Sequence, residues 1–148
     1  MDIIPASPLI DPVSHRLGYL LRRASAAMMA DLAHTLSSCG ISPVEATVLV
    51  VIGANPGCTQ SDIARLLGIK RANMVPIIAR LGAEGWVERR PMNGRSHALH
   101  LTEAGMGVHN QAELRMNEQE ERFSGLLQGQ DAAALRAALA LLVRTPEE

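Results

Sequence analysis

Aromatic side chains are almost missing: Trp86, Tyr19 and Phe123 are the only three among 148 residues. A core must therefore be assembled from Leu, Ala, Val, Ile and Met, which favours helices over an all-β sandwich. Cysteine is equally scarce. Cys39 and Cys58 have no C-x-x-C between them, so the sequence offers neither a disulfide framework nor a thiolate metal cage. Free thiols fit a reducing, cytoplasmic compartment. No apolar run approaches the ~20 residues needed to cross a bilayer; the longest, Val44 to Ala54, is interrupted by Glu45 and Thr47. The opening MDIIPASPLIDP is acidic and holds three prolines, unlike a basic, apolar signal peptide. A soluble chain with no membrane partner is expected. Catalytic signatures are missing too: there is no G-x-S-x-G, P-loop or dinucleotide fingerprint. Glu118, Glu120 and Glu121 read as a solvated helix face. The five histidines contain no H-x-x-x-H, and His97 and His100, three apart on a predicted strand, point to opposite faces. The expectation is a protein that is not an enzyme, with no metal and no cofactor.

The formal net charge of −1 excludes a binder that is basic along its whole length, yet the average hides a split. Residues 59–100 hold seven Lys/Arg against three Asp/Glu, whereas residues 101–148 hold four against eight. A partner feels the nearby field and not the mean, so the basic block is the better clue.

The apolar pattern predicts six helices and one hairpin. Residues 1–13 read as a proline-containing arm. A long helix from Ser14 carries Leu17, Leu20, Leu21, Ala24, Met28, Leu32 and Leu36 at i, i+3, i+4 spacing and ends at Gly40. Ser42-Pro43-Val44-Glu45 is a capping box with Pro at the first helical position; it opens a helix apolar nearly all round, expected in the centre. Thr59-Gln60-Ser61-Asp62 is a second capping box. It opens a short helix with Ile63, Leu66 and Leu67 inward, ended by Gly68. The next helix starts at about Lys70 and buries Met74, Ile77, Ile78 and Leu81. Trp86 to Arg90 and Ala98 to Leu101 read as strands joined through Asn93-Gly94, the strongest short hairpin signal. Thr102 caps a helix to about Leu127 whose inward stripe is Met106, Ala112, Met116, Phe123 and Leu127. Asp131 to Val143 forms the last, with Leu135, Ala138, Leu139, Leu142 and Val143 on one face. Short helix, glycine turn, helix and hairpin together make a winged helix-turn-helix, mainly α with a small β-hairpin.

Duplex DNA asks a major-groove helix to expose polar or basic residues near its N-terminus and bury the opposite stripe. Lys70, Arg71 and Asn73 sit in that first turn. Asn pairs bidentately with adenine, and Lys or Arg with guanine. Thr59 and Gln60 begin the preceding helix, whose free amides suit phosphate. Arg89, Arg90, Asn93 and Arg95 surround the hairpin turn, where an arginine can enter the negative minor groove. The competing readings are two packed helices with a solvated basic end, and strand arginines that border the solvent. His15, Tyr19 and Arg23 fall at i, i+4, i+8 on the first helix and read either as the lining of a ligand pocket or as an ordinary polar face. Cys58 precedes the Thr59 helix, whose dipole would activate a thiol; an inert small residue is the alternative.

Residues about 14 to 144, through DIARLLGIKRANMVPIIARLGAEGWVERR and LTEAG after the hairpin, resemble the MarR family of bacterial transcription regulators. The resemblance implies a symmetric homodimer with dimerisation helices over 14–40 and 102–148 and a winged helix-turn-helix DNA-binding domain over 41–101. It also implies a roughly palindromic operator and a repressor released by a small effector, commonly an aromatic acid or an acyl-CoA, bound between the dimerisation helices and the winged domain. The family's wing reads Asp-x-Arg. Arg95 matches, while Asn93 replaces the acid and removes an ion pair that would brace the wing. Pro76 stands where many members carry a polar or basic residue, and a kink is expected there. These two departures leave one rival from another class, a helical protein–protein interaction module of the same fold with reduced or lost DNA binding.

Overall fold

A computed structural model describes residues 9–143. Residues 1–8 of the expected arm and 144–148 of the C-terminal segment lie outside the described residues. The element order is α1 (Leu17–Leu36), a 3-10 turn (Ser37–Cys39), α2 (Pro43–Ala54), α3 (Gln60–Leu67), α4 (Arg71–Ala83), β1 (Val87–Pro91), β2 (His97–Leu101), α5 (Glu103–Gly125) and α6 (Ala132–Val143). The mainly helical, winged helix-turn-helix architecture expected from the pattern is the one found.

Local chemistry sets most of the boundaries. The Ser42 hydroxyl accepts from the Glu45 amide, and the Glu45 carboxylate accepts from the Ser42 amide. Thr59 and Asp62 do the same at α3. Each box satisfies two of the amides a helix start leaves bare. Between α3 and α4 the chain reverses at Gly68, whose φ of 64° lies in the left-handed region that glycine enters at no steric cost. The first helix departs from expectation. The Asp11 carboxylate accepts from the Val13 and Ser14 amides at 3.0 and 2.9 Å and holds the chain in a turn, so α1 starts at Leu17 and not at Ser14.

The core is organised around α2. Val48, Leu49 and Ile52 are fully buried and pack with Leu36 of α1, Ile63 of α3, Met74, Ile78 and Leu81 of α4, Leu99 of β2 and Ala112 of α5. Two expected inward residues face out, Leu66 and Met106. In α3, only two turns long, Ile63 and Ala64 make the core contact, which turns Leu66 away. In α5 the close approach is made by the neighbouring Gly105, which leaves Met106 rotated toward solvent.

A two-stranded ribbon cannot stand alone, and this one is tied down at three points. Strands β1 and β2 pair antiparallel from Val87↔Leu101 to Pro91↔His97. The backbone just before α3 then adds to the β2 edge: the Gly57 amide donates to the Leu99 carbonyl and the Leu99 amide to the Cys58 carbonyl, both at 2.8 Å. At the base, the Thr102 hydroxyl donates to the Gly85 carbonyl at 2.6 Å and the Thr102 amide to the Trp86 carbonyl at 3.0 Å. Gly105 makes that last junction possible. A Cβ there would lie 1.9 Å from the Trp86 carbonyl oxygen.

Helices α1 and α5 are joined by a polar lock that periodicity does not reveal. Gln119 is buried and donates to the Met28 carbonyl at 2.7 Å and to the Asp31 carboxylate at 3.0 Å; Arg122 donates to the same carboxylate oxygen at 2.6 Å. Beyond this lock the apolar stripes run into solvent. Leu17 and Leu20 of α1 and Leu141, Leu142 and Val143 of α6 are exposed. Among the described residues, no single helix is long and apolar enough to cross a membrane.

Two outcomes follow for stability. Gly105→Ala must displace the Trp86 backbone and should cost about 3 kcal/mol or more, whereas Gly107→Ala, with nothing within 4 Å of its Cβ position, should stabilise the same helix by about 0.5–1 kcal/mol; thermal and denaturant melts decide, and equal effects would refute the close approach. Hydrogen bonds from Gln119 and then Arg122 to the ionised form hold the Asp31 carboxyl below the usual carboxylate range. A folded pKa below the unfolded one contributes stability above the unfolded value and loses it as pH falls through the folded one. Asp31→Asn should therefore flatten the acid limb of the stability curve below about pH 4, and an unaltered limb would contradict the lock.

Candidate nucleic-acid interface

The starts of α3 and α4 and the wing converge on one polar cleft of about 200 Å³, lined by Thr59, Gln60, Ser61, Arg71, Arg89, Arg95, Ser96, His97 and Leu99. Five of the nine residues expected to touch DNA are in that lining: Thr59, Gln60, Arg71, Arg89 and Arg95. The Arg71 guanidinium donates to the Ser61 hydroxyl at 3.0 Å and so couples the first turn of α4 to that of α3.

Strand alternation explains which arginines meet there. Side chains two apart share a face of the ribbon, and the lining takes Arg89 of β1 with His97 and Leu99 of β2. Arg90 falls on the other face beside Glu88, to which its Nε donates at 2.9 Å. The structure thus separates Arg90 from the cleft and pairs it with Glu88. Asn93 lies in the exposed turn, outside the cleft lining. Lys70 and Asn73 are exposed at the start of α4, also outside the lining. Ser61, Ser96 and His97 were not anticipated. Ser61 is legible as the third residue of the Thr59 box; His97 is not, because a two-residue Asn-Gly loop would pair Pro91 with Ser96, whereas the turn closes between the Met92 amide and the Ser96 carbonyl and Pro91 pairs with His97.

The head of α4 differs from those of α2, α3 and α5, and shares its lack of a side-chain cap and of a first-turn acid with α1, whose N-cap is Arg16. Helices α2, α3 and α5 begin with a hydroxyl cap and an acid in the first turn. Helix α4 begins with Lys70 and Arg71, no side-chain cap and no acid. The N-terminal end of a helix carries the positive pole of its dipole, so two cations there are of the wrong sign for stability and the right sign for an anion. Among the described residues, Lys70, Arg71, Arg89 and Arg95 form no ion pair. The capping box consumes the Thr59 and Asp62 amides and leaves those of Gln60 and Ser61 at the cleft. The Asp62 carboxyl sits below its usual range because the Thr59 amide and hydroxyl hold its ionised form.

Arg80, at the far end of α4, faces elsewhere. Its guanidinium donates to Glu45 at 2.6 Å and to the Gly40 carbonyl at 2.8 Å and lies over the Trp86 ring. These bonds hold the back of α4 against the start of α2. Helix α4 runs through Pro76 as one element.

The expected effector residues are only partly assembled. Tyr19 accepts from Arg23 at 3.4 Å, and the Arg22 and Arg23 guanidinium groups lie 5.6 and 5.9 Å from its ring centroid. His15 sits in the turn ahead of α1, because the helix starts at Leu17, and does not share their helical face. An apolar cleft of about 460 Å³ opens instead between Ser38, Cys39 and the first three turns of α5 at Ala104, Gly107, Val108 and Gln111. Burial, and then Asp62, push the Cys58 thiol up from its ordinary value. Its surroundings therefore favour the inert reading over activation by the α3 dipole.

Comparison with known proteins agrees with this geometry. The MarR family model matches residues 40–96. A Thauera aromatica protein assigned as a transcriptional regulator of the hcr operon is 30% identical over 135 residues, covering 89% of this chain and 81% of that protein. The solved structure of the transcriptional repressor CouR bound to a 23-mer DNA duplex is 33% identical, with a TM-score of 0.86 and coverage of 93% of this chain and 100% of that one. CouR bound to p-coumaroyl-CoA gives 30% identity, a TM-score of 0.85 and coverage of 95% and 100%. Winged architecture, sequence likeness along most of the chain and the match over its reading segment give one answer: this chain belongs to the MarR family of transcriptional regulators.

Proposed function

We propose that the protein is a dimeric repressor that grips a roughly palindromic operator and is released by a small anionic effector. The observation that carries this reading is the uncapped, cation-led start of α4 set across a polar cleft from two wing arginines. Lys70, Arg71 and Asn73 enter the major groove, Thr59 and Gln60 meet the adjoining phosphates, and Arg95, with Arg89 behind it, reaches the minor groove. Residues 41–101 act as the reader. Helices α1, α5 and α6 pair two copies, which would cover the exposed leucines of α1 and α6. The acidic balance of residues 101–148 keeps the pairing end away from phosphate.

The apolar cleft beside Cys39 supports an effector with an apolar body; Arg23, beside Tyr19, lies ~20 Å along α1 from that cleft and is a separate candidate for holding a negative end. The likeness to CouR, solved with p-coumaroyl-CoA, favours an aromatic acyl-CoA over the free acid. Release requires that the effector bind one spacing of the two α4 helices better than the other.

Pro76, with an apolar outer face on α4, is the observation that favours the second reading, a protein–protein module. A salt titration of duplex binding separates the two. A repressor should lose affinity by orders of magnitude between low and moderate salt, while a protein-binding module should retain no duplex at any salt. Arg95→Ala should weaken all sequences about equally and lower the salt slope by about one. Asn73→Ala should cost about 1–3 kcal/mol on the preferred sequence and relax base preference at one position; an unchanged preference in a randomised-site selection would remove Asn73 from the reader. An aromatic acyl-CoA should release the duplex at concentrations where the free acid and CoA alone do not, and release by none of the three would refute the effector assignment.

A further inference from the structure

The outer face of α4 poses a chemical question that phosphate contacts do not answer. Met74, Ile78 and Leu81 are buried, so the opposite side is the one presented to a partner, and it shows Ala72, Asn73, Val75, Pro76 and Ala79, all exposed. Between Asn73 and Arg80 no side chain has an N–H or O–H to donate or an oxygen to accept with. Arg80 is spent on Glu45 and the Gly40 carbonyl. Beyond its first turn, therefore, this helix cannot read a base edge by hydrogen bonding.

A major groove offers one apolar feature, the C5-methyl group of thymine. We propose that Val75 and Pro76, flanked by Ala72 and Ala79, are specificity determinants that read thymine methyls, so that each half-site places A·T pairs under the second turn of α4. The inference rests on the DNA-binding reading above. Charge complementarity selects duplex DNA as the occupant of this face: the unpaired cations Lys70 and Arg71 stand at its N-terminal end, and Arg71 shares a cleft with Arg89 and Arg95 of the wing. Size argues the same way. A few small side chains over two helical turns fall far short of the ~800 Å² per partner that a stable protein interface buries. Asn73, one position before the apolar run begins, supplies the adenine contact that a neighbouring A·T pair would use. Pro76 fits this role better than a structural one. Its ring fixes an apolar surface that does not need the backbone amide it deletes.

The test uses the full-length protein and duplexes it enriches from a randomised pool at fixed salt. Each thymine of the enriched half-site is replaced in turn by deoxyuridine, which removes the methyl and nothing else, and affinity is read by fluorescence anisotropy. One or two positions per half-site should each weaken binding about fourfold, the factor equivalent to about 0.8 kcal/mol for one buried methyl. Val75→Ala should show a similar loss on the thymine duplex and no further loss on the uracil duplex. Pro76→Gln, at an exposed helical site, should lower the methyl dependence at a different position. If every uracil duplex binds as well as its parent, or if enriched half-sites hold no thymine under α4, the assignment is overturned while DNA binding stands. If Val75→Ala lowers affinity equally for both duplexes, Val75 acts through the helix and is not a methyl reader. If no duplex is enriched at all, the DNA-binding reading fails and takes this inference with it.

Discussion

The two backbone hydrogen bonds between Gly57–Cys58 and Leu99 are the constraint on which the rest of the molecule depends. They join the segment that starts α3 to the inner strand of the wing, so a ribbon too small to fold alone becomes part of the helical body. Because β2 is held there, the register puts Arg89 and His97 toward α3 and α4 and turns Arg90 outward to Glu88. Thr102 and Gly105 complete the arrangement from the other end of the ribbon, where α5 meets the Trp86 carbonyl. The cationic cleft is a consequence of this packing and not of charge alone. Seven basic residues lie in the 59–100 block, and packing decides which of them share a surface.

The energetics divide between the two halves of the molecule. The reader is built on a dense aliphatic core around α2, with one helix start, that of α4, left electrostatically unfavourable. An anion corrects it. In the proposed repressor, Lys70 and Arg71 beside the positive pole of a dipole would lose in the free protein part of what they gain on binding. The other half has little core of its own. Helices α1 and α5 are joined by Gln119, Asp31 and Arg122, and α6 leaves Leu135, Leu141 and Leu142 exposed. A chain with a finished reader and an unfinished helical end is what a two-fold assembly requires of one subunit, and an effector lodged at the seam near Cys39 and α5 would bear on both halves at once.

Much of the fold was legible because its signals are local. Ser42 with Glu45, Thr59 with Asp62, and Gly68 each specify a backbone conformation within four residues, and each does so in the structure; Asn93-Gly94 marks the hairpin, with Gly94 alone taking the positive φ in a longer turn. What was not legible depends on partners far along the chain. Gln119 reads as a surface residue until the Met28 carbonyl and Asp31, some ninety residues away, are seen to face it. Met106 fits the inward stripe, but the decisive contact of α5 is the one its neighbour Gly105 makes with Trp86. His15 falls out of the effector face because the Asp11 turn delays the helix. In the reader, Arg71, Arg89 and Arg95 were found from charge and position. Ser96 is not legible, because a hydroxyl in a polar turn carries no signal until a cleft is seen to enclose it.

The central claim is that two copies of this chain aim a pair of such readers at one duplex. Hydroxyl-radical footprinting on genomic fragments recovered with the purified protein tests it most directly. The account predicts two protected segments related by a two-fold axis, centred about one helical turn apart, with minor-groove protection on their flanks that disappears when the wing is shortened. A single asymmetric footprint, or protection indifferent to the wing, would contradict it.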